Sequence, residues 1–523
     1  MTSLLQEYNG LDCIATFKLW TELKSQLEEK PWAQRAYDLK KSLQAPALYA
    51  MMRGILIDAE VADQLYNQFI AEQKKLESIL DGITKPLKMG VINLASPQQK
   101  IWLMETLGAK VPLKRRGDKK ATKSTDRESL EAIAKAEPEL SPICNIINAW
   151  QDRAKMTQVL KPSLLNRDGR MHTGYKIAGT KTNRWSSGQD VFSFKREKRV
   201  SGMNMQNIKR DEDEEAVGHA SIRSAFIADR DRIFLDVDVG RADSFAVALE
   251  VFKWTGDKKY LEACFAYDLH TYVARLVYPD RPWNGDWDHD IKLAKQFVYR
   301  QYDYRFMCKK IQHGGNYLGS AWELARQMKI TMKRAQDGLD AYFTEFPAIH
   351  KWHTIRSKHL QTTGYVENLF HERRNVHSRL DTHDTLKKII AHLGQSVTAG
   401  VINRAINKVW ACQIQMPWFG MEFLGQVHDS ILEQLPDPLD MDAFETVIGA
   451  MTIPITVTSP QGETITAAMP LEPAIGWNWA SWSPSNPDGL IKLKPGQMND
   501  RTRSRQPAEK KLGQLDRRLS RIY

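Results

Sequence analysis

Cysteine is scarce in this chain of 523 residues. The five (Cys13, Cys144, Cys264, Cys308, Cys412) are scattered and odd in number. That argues against a disulfide framework or a CxxC zinc site and fits a reducing cytosol, so a cytoplasmic location is expected. No apolar run is long enough to span a bilayer, and no signal or transit peptide precedes the first periodic stretch, so no membrane partner is expected. Acidic residues are outnumbered, 63 against 74 Lys plus Arg, a net charge of +11. Such an excess favours a polyanionic partner without naming one. WNGDWDHD (Trp283 to Asp290) lacks a calcium-loop spacing and reads as a surface loop. The acidic run Asp211 to Glu215 reads as a solvated turn. A chain this long exceeds one hydrophobic core, so several subdomains are expected.

Against this background, three stretches carry chemistry. In IRSAFIADRDRIFLDVDVGRADSFAVALE (Ile222 to Glu250), Ile233, Phe234 and Leu235 begin an apolar β-run that Asp236 and Asp238 interrupt. Residues two apart on a strand share a face, and a carboxylate in a core strand is costly unless a cation or hydrogen bonds satisfy it. The strand either ends in a divalent-metal ligand or emerges into solvent. In YRFMCKKIQHGGNY, Arg305, Lys309, His313 and Tyr317 recur every fourth residue, one helix stripe about 18 Å long. It suits a triphosphate with a base stacked beyond, since Arg and Lys meet phosphate oxygens through charge-assisted bonds; it is equally the pattern of a solvated basic face. MEFLGQVHDSILEQL reads as a tight β-hairpin with Gln426, His428 and Asp429 at its apex.

Together and in this order, the three resemble the family A DNA polymerases. DVDVGRAD is similar to that family's first palm motif, RFMCKKIQHGGNY to its fingers helix and QVHDS to its second metal-binding hairpin. TNRWSS (Thr182 to Ser187), NMQNI (Asn204 to Ile208) and IRSAF (Ile222 to Phe226) resemble further segments. The implied fold is α+β, a right hand with helical thumb, antiparallel-sheet palm and helical fingers. The implied division is 1–35, a remnant of the 3′–5′ exonuclease C-terminal helix; 36–190, thumb; 191–250, palm entry and first metal motif; 251–375, fingers; 376–482, palm with the second metal motif; and 483–523, a basic, disordered tail.

In the first segment, EYNGLDCIATFKLWTEL places Tyr8, Asp12 and Thr16 on one helix face and resembles the nuclease's last motif. Nothing before Met1 provides the nuclease's other carboxylates, so no self-sufficient proofreading is expected, and a separate exonuclease or processivity factor is an expected further partner. In the thumb, Asp58 caps a helix striped by Val61, Leu65, Phe69, Leu76 and Leu80, and Ser96-Pro97 starts another that stops at Gly108. Thr125 and Glu128 form a capping-box pattern. Eight basic residues between Lys110 and Arg127 would grip a duplex backbone without reading sequence. The connector 189–203 is longer than the family pattern.

The resemblance implies a phage-like enzyme for DNA replication or repair that transfers a nucleotidyl group from a deoxynucleoside triphosphate to the primer 3′-hydroxyl of a primer-template. Asp238 and Asp429 would share two Mg²⁺ ions roughly 3.5–4 Å apart. Arg305 and Lys309 would hold the triphosphate, with Lys309 donating a proton to pyrophosphate, and His313, Tyr317 and Asp243 would line the nucleotide site. Arg184, Gln206, Asn207, Gln395, His428 and Lys155 would contact DNA. Three departures stand out. Asp243 replaces the Glu that crowds the sugar 2′ position, His313 replaces Phe or Tyr, and Ser430 replaces the Glu after the hairpin aspartate. The second and third bear on dideoxynucleotide handling and on a likeness to single-subunit RNA polymerases. That enzyme class, and a catalytically silent primer-template clamp, are the alternatives; the clamp predicts loss of Asp238, Asp429 or Lys309, all of which are present.

Overall fold

The computed structural model describes residues 2–115, 120–161, 168–188, 203–208, 221–265, 268–299 and 302–493. The connector at 189–202, the acidic run at 211–215 and everything from 494 onward lie outside them. The first helix, α1 (Thr2–Glu28), stands clear of the body and touches the next, Pro31–Ser42, through Trp20 on Tyr37 at 5.6 Å. Leu5, Tyr8, Leu11, Ile14, Phe17, Trp20 and Leu23 are all exposed, by 37–70 %.

Helix α2 (Gln44–Arg53) buries Ala47, Ala50 and Met51 in the same core as the central sheet. Helix α3 (Ala59–Thr84) begins at Asp58, whose carboxylate accepts from the N–H groups of Glu60 and Val61, and buries Leu65, Phe69 and Leu80 as its periodicity demands. The Ser96 cap forms as expected, on Gln99 N–H. The Thr125–Glu128 box does not: Asp126 caps the helix Arg127–Ala136, and Glu128 pairs with Lys114 at 2.7 Å instead. A carboxylate one residue later accepts the same orphan N–H groups and displaces the hydroxyl.

Helix α4 (Ser141–Val159) runs along α3, and residues 80–150 close a core of their own around Leu103, Leu130 and Ile147. As a packing unit the expected thumb is therefore narrower than 36–190. Leu43 to Met51 at one end, and Tyr175 and Trp185 at the other, belong to the sheet's core.

The sheet is wholly antiparallel. Strand β1 (Arg232–Val239) is its centre, flanked on one side by the hairpin β2 (Glu422–Val427) and β3 (Ser430–Pro436) and on the other by β4 (Leu471–Gly476) and β5 (Ile491–Lys492), in the order β2-β3-β1-β4-β5. β5 corrects the expected tail: residues 483–493 fold back, and Ala474 and Ile475 pair with Lys492 and Ile491. Successive side chains alternate faces. Ile233, Leu235 and Val237 point to one side, where α5 (Ala242–Thr255) and the 33-residue α10 (His383–Gln415) cover them. Phe234, Asp236 and Asp238 point to the other, where Phe234 joins Leu432, Trp479 and the base of α3 in a second core.

The remaining helices relevant to the site are α6 (Leu269–Val277), α7 (Tyr304–Asn316), α8 (Met332–Glu345) and α9 (Pro347–Thr363), packed as a group beyond α5. Among the described residues no helix is long and apolar enough to cross a membrane.

Candidate active site

The partly covered face of β1 holds two carboxylates with different fates. Asp236 is satisfied within the fold: the Ser430 hydroxyl donates to one oxygen and Trp479 Nε1 to the other at 3.0 Å. Asp238, nearer the strand end, lies opposite Ser430 on β3 and Glu472 on β4. The β2–β3 hairpin turns in two residues, His428 and Asp429. His428 takes φ of 57°, a left-handed conformation that keeps the turn tight, and its ring is exposed. The Asp429 carbonyl accepts from Val239 N–H at 3.0 Å, which ties this turn to the end of β1 and brings Asp429 beside Asp238. Gln426 is not at the apex; it is a buried strand residue whose amide donates to the His428 carbonyl and braces the turn.

A loop residue completes the cluster. Arg184 Nη2 stands 3.3 Å from Asp243 Oδ1 and 3.1 Å from Asp429 Oδ1, one cation shared by two carboxylates. Asp243 also accepts from the Thr398 hydroxyl of α10 at 3.1 Å. Among the described residues no three His, Cys, Asp or Glu side chains converge on a point that could enclose a metal ion. What the site offers is the hard-oxygen pair Asp238 and Asp429 on one open edge. That fits an ion completed by substrate oxygens, as Mg²⁺ prefers, and not an all-protein cage.

Helix α7 presents the expected stripe over three of its four positions. Asp303 caps it, and Met307, Cys308 and Ile311 bury the opposite side. Lys309 and His313 are exposed. Arg305 is held bidentately by Asp268, Nε at 2.8 Å and Nη2 at 2.9 Å, which fixes the guanidinium plane. Tyr317 departs from the expectation: the helix ends at Asn316, and Tyr317 is buried just beyond it. Its hydroxyl reaches the backbone of Gly394 on α10, 2.5 Å from where a Cβ would stand, so only glycine fits there. Burial, and then the Asp243 charge, raise its pKa well above that of a free phenol. The His313 ring meets Tyr317 edge-on at 4.7 Å. Loss of water on the inner side of that ring lowers its pKa, and Asp243 opposes the shift.

Two residues beside this stripe escaped the sequence reading. Asp268 caps α6 through Thr271 N–H while it holds Arg305. His270, on the same turn, meets Gln312 Oε1 through Nδ1 at 2.7 Å. Burial, helped by the Arg305 charge, pushes its pKa down to about 4, so the ring is neutral and Nδ1 carries the proton. Gln312 passes the network on, donating to Ser244 and Tyr260 at 2.9 Å each. DLHTYVAR shows the Asp268 cap but gives no local sign of the rest, because Arg305 and Gln312 come from another helix.

The expected DNA contacts divide. Gln206 braces the cluster from below, its amide donating to Gln426 Oε1 at 3.1 Å and to the Trp185 carbonyl at 3.2 Å. Asn207 is exposed beside it, and Gln395 is half-buried on α10 next to Gly394. Lys155 is set apart on α4, 69 % exposed and 3.9 Å from Asp152. Of the basic run, Lys114 pairs with Asp126, Lys123 with Glu105 and Arg127 with Asp152, so part of its charge is neutralised internally. Residues 116–119 of that run lie outside the described residues.

Residues 60–480 match the family model for DNA polymerase family A. The DNA polymerase I of Treponema pallidum (strain Nichols) is 25 % identical over 445 residues, 82 % of this chain and 39 % of that protein. The thermostable DNA polymerase I of Thermus filiformis is 25 % identical over 433 residues, 80 % of this chain and 46 % of that protein. The chain thus spans less than half the length of these relatives. In fold it is similar to a solved POL domain from M. smegmatis in complex with DNA primer-template and dNTP. That match has a TM-score of 0.69 at 19 % identity and covers 89 % of this chain and 74 % of that one.

Proposed function

The chain belongs to DNA polymerase family A, and from that premise we propose that it extends a DNA primer on a DNA template with deoxynucleoside triphosphates and releases pyrophosphate. The observation that carries the reading is the meeting of Asp238 and Asp429 at one open sheet edge, tied by the Val239–Asp429 backbone bond. Family membership speaks against the RNA-polymerase alternative, and the presence of both carboxylates and Lys309 speaks against a silent clamp.

Family A polymerases generally use divalent metal ions; here two Mg²⁺ held by Asp238, Asp429 and substrate oxygens would supply charge stabilisation of the attacking and leaving oxygens. Lys309, exposed on α7, would meet the triphosphate and give a proton to the departing pyrophosphate. Asp268 holds the Arg305 guanidinium in plane for the same anion. His313 and Tyr317 form the wall against which the incoming base lies. Arg184, Gln206, Asn207, Gln395 and His428 face the primer terminus, and Lys155 with the basic run faces the duplex further away. Asp243 is drawn towards Arg184 and Thr398. With one methylene fewer than Glu it leaves room at the sugar, so ribonucleotides are excluded weakly.

The test is extension of a labelled primer with Mg²⁺, with deoxynucleotides and ribonucleotides in separate reactions beside an Asp429→Ala control. Deoxynucleotide extension lost in the control supports the reading. Tight primer-template binding without extension by the native chain would replace it with the clamp.

A further inference from the structure

Arg184 reaches both Asp243 and Asp429 from a loop, and the residue before it is Asn183 at φ of 63°, a left-handed conformation with no helix or strand to impose it. A non-glycine residue there is under mild strain, which Asn tolerates best when its side chain is held. The Asn183 N–H donates to the Thr180 carbonyl at 3.2 Å, and two further contacts hold the residue. Asn183 Nδ2 donates to Glu372 Oε2 at 3.0 Å, and the Asn183 carbonyl accepts from Asn403 Nδ2 of α10 at 3.2 Å.

Glu372 is itself a built acceptor. It is buried, and its carboxylate also takes Asn368 Nδ2 at 3.3 Å and Arg404 Nη1 at 3.3 Å, while its N–H is fixed by Asn368 Oδ1 at 3.0 Å. Arg404 in turn lies over the Phe370 ring at 3.8 Å. The carboxylate thus collects three donors from three segments, and one of the three steadies the turn that aims Arg184, a turn also closed by Asn183 N–H on the Thr180 carbonyl and by the Thr180 hydroxyl on the Arg184 carbonyl, each at 3.2 Å.

We infer that Glu372 is a positioning residue. Acting through Asn183, it holds Arg184 on Asp243 and Asp429 and so controls how much of the Asp429 charge is open to a cation and how the primer-end contact is presented. The inference rests on the reading of Asp238 and Asp429 as the reactive edge. Glu372→Gln keeps the shape but has a single acceptor oxygen. The charged Arg404 guanidinium, bonded to Oε1, claims it, which turns the amide N–H groups on Asn183 and Asn368, both bonded to Oε2, and releases the Asn183 side chain.

The experiment pairs two readouts on Glu372→Gln, Asn183→Gly and the double variant. One is kcat and primer-template affinity in primer extension. The other is Mn²⁺ affinity of the unliganded protein by electron paramagnetic resonance, which needs no turnover. For E372Q the expected result is a kcat about tenfold lower, primer-template affinity within twofold, and Mn²⁺ bound severalfold more tightly because Arg184 no longer sits on Asp429. Glycine adopts φ near 60° unaided, so N183G should keep most of the rate, and N183G/E372Q should recover most of what E372Q lost. Unchanged Mn²⁺ affinity in E372Q, or a double variant no better than E372Q, overturns the positioning role. A native chain that extends nothing while E372Q still shifts Mn²⁺ affinity would sink the polymerase reading and leave the positioning role standing.

Discussion

The two faces of the central sheet each carry carboxylates, and they treat them in opposite ways. On the partly open face, Asp236 is bonded by Ser430 and Trp479, and Asp238 stands by Asp429 at the edge. On the covered face, Glu433 of β3 is fully buried in register with Leu235, and neither of its oxygens has a hydrogen-bond partner. Burial alone pushes its pKa up to about 8. One sheet therefore keeps a charged, reactive edge and a neutral carboxylic acid a few residues apart on the same hairpin. What separates them is access to water and donors, since the strand chemistry is shared.

The contrast can be broken from either side. The largest effect is expected at the open edge: Asp429→Asn should slow primer extension at least about 10³-fold, roughly 4 kcal/mol of barrier, with an unchanged melting temperature. Loss of folding in place of rate would erase the distinction between the faces. At the covered face, Glu433→Gln should stabilise the protein at neutral and alkaline pH. With the folded pKa raised, the folded state keeps a proton that the unfolded chain releases above the ordinary Glu value. Stability from this group is therefore full below about pH 4.5, falls as pH rises and is lost by about pH 8, a cost near 3 kcal/mol at pH 7. Urea unfolding at pH 5.5 and pH 8 measures it, and a gain that is the same at both pH values would count against a neutral Glu433.

Smaller effects sharpen the comparison within the open face. Asp236→Asn should cost about 1–2 kcal/mol of stability, through the weakened Ser430 and Trp479 bonds, with extension reduced far less than in D429N. A loss as large as that of D429N would make Asp236 part of the reactive edge. Asp243→Glu should raise deoxynucleotide over ribonucleotide preference by a fewfold to tenfold in kcat/KM, and no change would mean that the Arg184 and Thr398 contacts do not set sugar choice.

How much of this the sequence carried depends on how local each feature is. The shared face of Asp236 and Asp238, the hairpin at His428-Asp429 and the stripe from Arg305 to His313 follow from periodicity, and all three are present. Tyr317 broke the pattern because the helix ends one residue earlier, at a Gly-Gly-Asn sequence that four-residue spacing ignores. The Arg184–Asp429 pair joins residues 245 positions apart, and the Arg305–Asp268 pair 37 apart; neither leaves a local pattern. β5 is two residues long and exists only because β4 offers an edge. Its Lys-rich sequence alone reads as a tail.

The exposed α1 has a colloidal consequence. Seven of its exposed apolar residues, from Leu5 to Leu23, recur every three positions, about 300° of helix rotation, so each is set back about 60° from the last and together they visit every side of the cylinder. In solution the helix should act as an adhesive mast, making light scattering rise with concentration and fall with mild detergent. Replacing Leu11, Ile14 and Phe17 together by Gln should restore a monodisperse sample while leaving the distant sheet edge at Asp238 and Asp429 untouched.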